Sequence, residues 1–228
     1  MKYLGFIPAR AGSKGIPGKN KVLLMNKPLI SYTLEAAQNS ALLNECHLST
    51  DDDDIIGLSR NYAVQSLYKR PANLSDDTAS IYDALKYHIS FLKDHACDVP
   101  ENIVLLQPTS PIRRRELIDN CIREFEKAQC DSLAAVSKAL QHPYEMFRRT
   151  GGRNVFISDE QQQRQGYPDY YFITGSVYIA KLDFIMSEKK FFNNDSSIYI
   201  VENDEAIDVD EPSDLELAEF YLRKVNNR

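Results

Sequence analysis

The sequence predicts one α/β domain in three layers, a mostly parallel sheet with helices on both faces, and two patterns carry that expectation. Short apolar runs of strand length alternate with longer segments whose apolar residues recur every three or four positions, the rhythm of βαβ units. The loops richest in glycine, charge and hydroxyl groups each follow a predicted strand, where open α/β sheets gather their ligands. A length of 228 residues and a hydrophobic fraction of 43% fit a single compact core carrying one sizeable insertion.

Along the chain, Tyr3 to Ile7 reads as a strand stopped by Pro8. Pro28 suits the first turn of a helix whose inner face holds Leu29, Ile30, Thr33, Leu34 and Ala37. Cys46 to Thr50 is a short strand, and the acids Asp51 to Asp54 then cap a helix through Ile55, Ile56 and Leu58 and complement its dipole. Ile81, Ala84, Leu85, His88, Ile89 and Leu92 mark a strongly amphipathic helix, followed by the strand Asn102 to Leu106. Leu117, Ile118, Cys121, Ile122 and Phe125 form another helical stripe before the strand Ser132 to Val136. Between about residues 138 and 173 the periodicity gives way to a polar stretch rich in Gln, Arg and Tyr, too long for a tight connection, so an inserted arm or lid is expected there. Strands at Ser176 to Ile179 and Ser197 to Val201 restore the pattern. A closing helix from Pro212 turns Leu215, Ala218, Leu222 and Val225 inward.

The net charge of −6, with no basic stripe, argues against a nucleic-acid surface, so an anionic ligand must be met by local positive charge. No apolar run reaches the length of a membrane span, and no secretory leader is evident, so a cytoplasmic protein is expected. The four cysteines, Cys46, Cys97, Cys121 and Cys130, lack CxxC spacing, which predicts reduced thiols rather than a zinc site.

Five segments carry candidate chemistry. In IPARAGSKGIPGKN, Ile7 to Asn20, the glycines Gly12, Gly15 and Gly18 free the backbone to turn N–H groups inward, while Arg10, Lys14 and Lys19 add positive charge. That is the chemistry of a polyphosphate cradle, though the same residues could form a solvated basic turn, and neither GxxxxGK[ST] nor GxGxxG is present. Asp208 and Asp210 alternate with Ile207 and Val209, so an extended backbone puts both carboxylates on one face. Two such hard ligands suit magnesium, and N-capping of the last helix is the alternative, better served by Ser213 than by Asp210. QPTSPIR, Gln107 to Arg113, offers an amide, hydroxyls and a guanidinium on a stiff loop, either to position a polar ligand or to start the next helix. Arg70-Pro71 with Leu74 to Thr78 is a turn or a base-reading loop. The cluster Asp51 to Asp54 is either a helix cap or the metal site of a nucleotide-sugar glycosyltransferase. None of the four histidines receives a catalytic role.

Taken in order, IPARAGSKGIPGKN, the STD of Ser49 to Asp51, RPANLSDDT, LLQPTSPIR, Arg164-Gln165, GSVYI and IDVD resemble the acylneuraminate cytidylyltransferases, the CMP-sialic acid synthetases. The resemblance spans nearly the whole chain. It implies a Rossmann-like α/β/α fold of nucleotidyltransferase type and transfer of CMP from CTP to the anomeric 2-hydroxyl of a nine-carbon 2-keto acid sugar, releasing pyrophosphate. It implies that Arg10, Gly12, Ser13, Lys14, Lys19 and Asn20 hold the triphosphate, with Arg10 or Lys19 neutralising charge on the leaving pyrophosphate. Arg70, Asp77 and Ser80 would meet the cytidine. Gln107, Arg164, Tyr178, Phe191 and Phe192 would meet the sugar, and Asp208 and Asp210 would hold Mg2+.

Where that family carries Asn-Gly before its last core strand, this chain has Thr174-Gly175, a departure that points to a changed sugar contact at Thr174. N-acetylneuraminate, legionaminate and pseudaminate remain open as the substrate. The resemblance further implies a homodimer joined through the arm at about 138–173.

Overall fold

The structure, a computed structural model, describes residues 2–157 and 164–226. Its strands are β1 (Tyr3–Pro8), β2 (Leu23–Leu24), β3 (Lys27–Pro28), β4 (Glu45–Ser49), β5 (Asn102–Leu105), β6 (Ser132–Lys138), β7 (Phe147–Thr150), β8 (Arg153–Phe156), β9 (Tyr171–Lys181) and β10 (Ser197–Val201). The helices are α1 (Leu29–Gln38), α2 (Asp53–Ser59), α3 (Ile81–Asp94), α4 (Leu117–Ala128), α5 (Leu182–Glu188) and α6 (Pro212–Asn226). A six-stranded sheet runs in the order β10-β6-β9-β5-β1-β4. β1 pairs in parallel with β4 and β5, and β10 with β6, whereas β9 lies antiparallel between β5 and β6.

Alternation along the strands divides the core. Ile7, Leu48, Val104, Leu133 and Val177 face one side, where α1 and α4 cover them, while Phe6, Ile103, Leu105 and Ala134 face the other beneath α3 and α5. Burying each such Leu or Ile side chain stabilises the fold by about 1.5–3 kcal/mol. A third, smaller cluster joins Ile16 and Leu24 to Leu29, Ile112, Val209 and Ala218, so α6 and the head of α1 hold the glycine loop against the Asp208–Asp210 segment.

Several elements differ from expectation for local reasons. Pro8 still pairs, as the last residue of β1, because a proline at a strand end gives up little of the ladder. Pro28 flanks α1 rather than entering its first turn. β9 starts at Tyr171, inside the stretch expected as arm, since its first three residues are exposed and lack an inward-facing pattern. The arm carries the β7–β8 hairpin, turned by Gly151 and Gly152 at φ 56° and 75°, as two-residue hairpin loops require. Val225 falls within α6, but its side chain lies outside the described residues. Among the described residues no helix is long and apolar enough to cross a membrane.

Candidate active site

A cavity of about 320 Å³ opens beyond the carboxyl ends of β1 and β5. The glycine loop lines it with Arg10, Gly12, Ser13, Lys19 and Asn20; the far wall brings Arg70, Asp77 and Ser80, and the floor Gln107 and Thr109. Residues more than 90 positions apart in sequence are thus brought to one place, as strand-end loops of an open sheet are expected to be.

The loop is held by four separate straps. Asn20 Nδ2 donates to Arg10 O at 3.0 Å, and Ala11 N donates to Asp51 Oδ1 at 2.8 Å. Lys21 Nζ bridges Asp52 at 2.9 Å and Asp54 at 2.8 Å. Gly15 lies so close to the Asp210 carbonyl that a Cβ there would meet its oxygen at 2.1 Å. Gly18 takes the left-handed conformation, φ 62°, that starts the turn Lys19–Lys21. The acidic cluster is therefore occupied: Asp52 caps α2 by accepting from Asp54 N and Ile55 N, and Asp53 pairs with Lys69 at 2.6 Å. Burial opposes the charged form of Asp52, yet the Lys21 bond and the two capping amides hold its carboxyl below the usual range. Lys21 was not singled out from the sequence; its position just after a basic loop, with acids at the end of the neighbouring strand, is the signal.

Each cation of the cradle rests on an oxygen. Arg10 Nη1 meets Asp77 Oδ1 at 2.8 Å and Asp76 O at 2.8 Å, Lys14 Nζ meets Asp77 Oδ2 at 3.3 Å, and Lys19 Nζ meets Asp210 Oδ1 at 2.7 Å. Arg70 is different. It is only 6% exposed, and its Nε and Nη2 have no hydrogen-bond partner. Burial presses its pKa down from the ordinary value, with Asp51 and Tyr68 opposing. Buried donors without acceptors are costly, about 1–3 kcal/mol each, so a guanidinium left this way in a cavity is shaped for a ligand that supplies acceptors.

Asp208 and Asp210 follow the expected alternation, with Val209 fully buried between them and its N–H donating to Thr109 O at 2.7 Å. Burial raises the Asp208 pKa, a Thr109 hydrogen bond lowers it, and the neighbouring Asp210 raises it further. Asp208 Oδ1 is buried and unpartnered, which suits a hard cation; Asp210 is exposed and turned to Lys19. Among the described residues no cluster of three or more His, Cys, Asp or Glu could hold a metal, so a bound ion would take two protein carboxylates at most here. The cap of α6 comes from Asp214, whose Oδ2 accepts from Asp210 N at 2.9 Å and Glu211 N at 2.8 Å, rather than from Ser213 or Asp210.

Beside the cavity, Gly175 takes φ 73°, and a Cβ there would meet Gln107 Oε1 at 2.8 Å, so the glycine makes room for the amide. Thr174 does not present its hydroxyl to the cavity: the residue is buried, and Oγ1 donates to Ala135 O at 3.1 Å and shares a hydrogen bond with Ser176 Oγ. Tyr178 packs with Phe192, ring centroids 5.6 Å apart, and with Phe191 at 6.5 Å; burial and the nearby Asp208 push its hydroxyl up to about 12. None of these three aromatics lines the cavity. Arg164 begins a short turn, Arg164–Gly166, and its side chain lies outside the described residues. The Arg113 guanidinium also turns inward, away from the cavity.

A cationic, glycine-lined cavity with an unpartnered guanidinium and two adjoining acids, set at the strand ends of a mostly parallel sheet, defines a nucleotidyltransferase-type site. Residues 4–225 match the family model described as cytidylyltransferase, and the chain belongs to that family of CTP-using nucleotidyltransferases. It is 31% identical over 231 residues to the pseudaminic acid cytidylyltransferase of Campylobacter jejuni, covering 100% of this chain and 98% of the relative. It is 33% identical to the CMP-N,N'-diacetyllegionaminic acid synthase of Legionella pneumophila over 97% of each chain. It is 30% identical to the N-acylneuraminate cytidylyltransferase of Escherichia coli, of which it spans only 54%. In fold it resembles a CMP:2-keto-3-deoxy-manno-octonic acid synthetase solved with CTP, TM-score 0.70 at 16% identity, covering 99% of this chain and 100% of that one. The 4-diphosphocytidyl-2C-methyl-D-erythritol synthase of Anaerococcus prevotii gives 0.67 at 16%, over 97% and 99%.

Proposed function

We propose that this chain transfers CMP from CTP to the anomeric 2-hydroxyl of a nine-carbon 2-keto acid sugar. The bond formed is sugar O2 to the α-phosphorus, the bond broken joins that phosphorus to pyrophosphate, and the hydroxyl proton leaves to solvent. The observation that carries the reading is the unpartnered pair of Arg70 donors in a cavity whose other cations stand at the glycine loop. Arg10, Lys14 and Lys19 exchange Asp77 and Asp210 for the triphosphate, joined by the backbone of Gly12 and Ser13 and by Asn20. Arg10 and Lys19 neutralise the charge that grows on the leaving group, so catalysis rests on positioning and electrostatics. Arg70 and Ser80, with the loop of Asp77, hold the cytidine. Gln107, Tyr178, Phe191, Phe192 and Arg164 hold the sugar, and Thr174 acts on it only through the backbone it shares with Gly175.

Asp208 and Asp210 would hold Mg2+, which when bound supplies charge neutralisation at phosphate oxygens and a lower pKa for a coordinated hydroxyl. The names of the relatives support an N-acylneuraminate, pseudaminate and a diacetylated legionaminate alike as the sugar. We further propose a cytoplasmic homodimer, in which Phe147, Val155 and Ile157 of the exposed arm, 70%, 40% and 52% accessible, meet a second copy. Light scattering tests the dimer, and a monomer would overturn it.

The transfer is tested by pyrophosphate release from CTP with magnesium and each sugar, in the wild type, Asp208→Ala and Asp53→Ala. Release that Asp208→Ala abolishes and Asp53→Ala spares supports the reading. Release that survives Asp208→Ala would overturn the metal assignment, and no release with any of the sugars would instead favour a nucleotide-sugar glycosyltransferase.

A further inference from the structure

Arg113 ends the QPTSPIR loop, yet its guanidinium serves the protein's own backbone. Nε donates to Ser176 O at 2.9 Å in β9, Nη1 to Thr33 Oγ1 at 2.7 Å in α1 and to Ser110 O, and Nη2 to Gln107 O at 2.6 Å. A planar fork can reach acceptors on three elements at once; a lysine ammonium cannot match that geometry.

What those bonds fix is the loop that carries the inner half of the site. With the carbonyls of Gln107 and Ser110 drawn inward, the Gln107 side chain is left to the cavity, over the space that Gly175 vacates. Ser110 Oγ donates to Thr174 O at 3.0 Å and straps the same loop to β9 a second time. Thr109 O receives Val209 N at 2.7 Å, so the carboxylate segment hangs on this loop as well. Asp208 in turn lies near enough to support the charge of Arg113. The glycine loop touches that segment through Gly15 and Lys19, but it has further anchors away from it, in Asp51 and in Lys21 on Asp52 and Asp54.

We infer that Arg113 is a positioning residue for the acceptor half of the site: it sets Gln107 and the Asp208 segment against β9 and leaves nucleotide binding to the other loops. The assignment of that half to the sugar rests on the proposed function; the positioning itself does not.

The test uses Arg113→Lys, which keeps the charge and loses the fork, and Thr33→Val, which removes one strap at nearly constant volume. Three readouts are taken: sugar KM and kcat, the CTP dissociation constant of the protein alone, and amide exchange. Expected for Arg113→Lys is a sugar KM raised and kcat lowered by about tenfold each, with CTP affinity within about threefold, the scale of losing a charged hydrogen bond and about an ångström of alignment. Thr33→Val should move the same two constants in the same direction by less. Exchange should quicken at Val209 and Ser110 and stay unchanged at Ala11 and Lys21. Equal losses for sugar and CTP, or wild-type sugar constants in both variants, would overturn the inference. If Arg113→Lys fails to fold, unchanged constants in Thr33→Val overturn it. If the wild type turns over none of the sugars, the proposed function fails while positioning still stands or falls on Val209 exchange.

Discussion

Replacing Asp77 by Asn should tighten CTP binding, although the change removes a charged group from the cavity wall. Asp77 pairs with Arg10 at 2.8 Å and with Lys14 at 3.3 Å, so a triphosphate must break both pairs before it gains either cation. The partners are 35%, 49% and 76% exposed, so solvent screens them, and each pair is worth about 0.2–1 kcal/mol. Repulsion between the displaced carboxylate and the phosphates, at roughly 5 Å and near-aqueous dielectric, adds about 1 kcal/mol. Together these give about 1.4–3 kcal/mol, or a gain of roughly ten- to 150-fold in affinity. Calorimetric titration of CTP into wild type and Asp77→Asn at low and at 0.3 M salt, where the Debye length shrinks to about 6 Å, reads it directly. The gain should narrow with salt. Weaker binding in Asp77→Asn at both salts would refute the reasoning and assign the carboxylate a direct bond to the nucleotide.

Arg70→Met should lose CTP binding by about tenfold or more while melting at or above the wild-type temperature, because it removes an unpartnered buried guanidinium; a fall in both would show that Arg70 is structural. Gly15→Ala places a Cβ 2.1 Å from Asp210 O, so the glycine loop must lift from the acid segment, and CTP affinity should fall about tenfold or more with the far-ultraviolet dichroism preserved. His88 bonds Tyr68 and His47 in the core, and burial, then the neighbouring His47, push its pKa down to about 3 from 6.5. Its folded pKa is depressed, so the unfolded chain binds the proton first: the contribution is complete above about pH 6.5 and is lost as pH falls toward 3. Urea midpoints should therefore drop over that window more steeply in wild type than in His88→Gln.

The sequence makes plain whatever periodicity and loop chemistry encode. Ile81 to Leu92 marks α3, and β10 spans Ser197–Val201 as read, because one face of each is repeatedly apolar or buried. The convergence of the glycine, Gln107 and Asp208 loops was legible because each follows a strand, and the Val209–Thr109 hydrogen bond realises it. Strand direction was not: a period of two is the same in either sense, so nothing in GSVYI shows that β9 runs antiparallel. The β7–β8 hairpin escaped because most of its residues are exposed and alternate nothing, leaving only Gly151-Gly152 as a signal. Side-chain direction was equally hidden. Thr174 and Arg113 sit in motifs that read as ligand contacts, yet both turn to backbone carbonyls, since the register that aims them depends on partners 39 and 63 residues away.

The most direct test of the proposed transfer follows the phosphorus. Protein, CTP, magnesium and N-acetylneuraminate, legionaminate or pseudaminate are mixed, and the products are observed by phosphorus NMR. The proposed reaction requires one new phosphodiester signal and pyrophosphate in equal amounts with at least one sugar. Unchanged CTP with every sugar, or release of inorganic phosphate without a CMP-sugar, would contradict it.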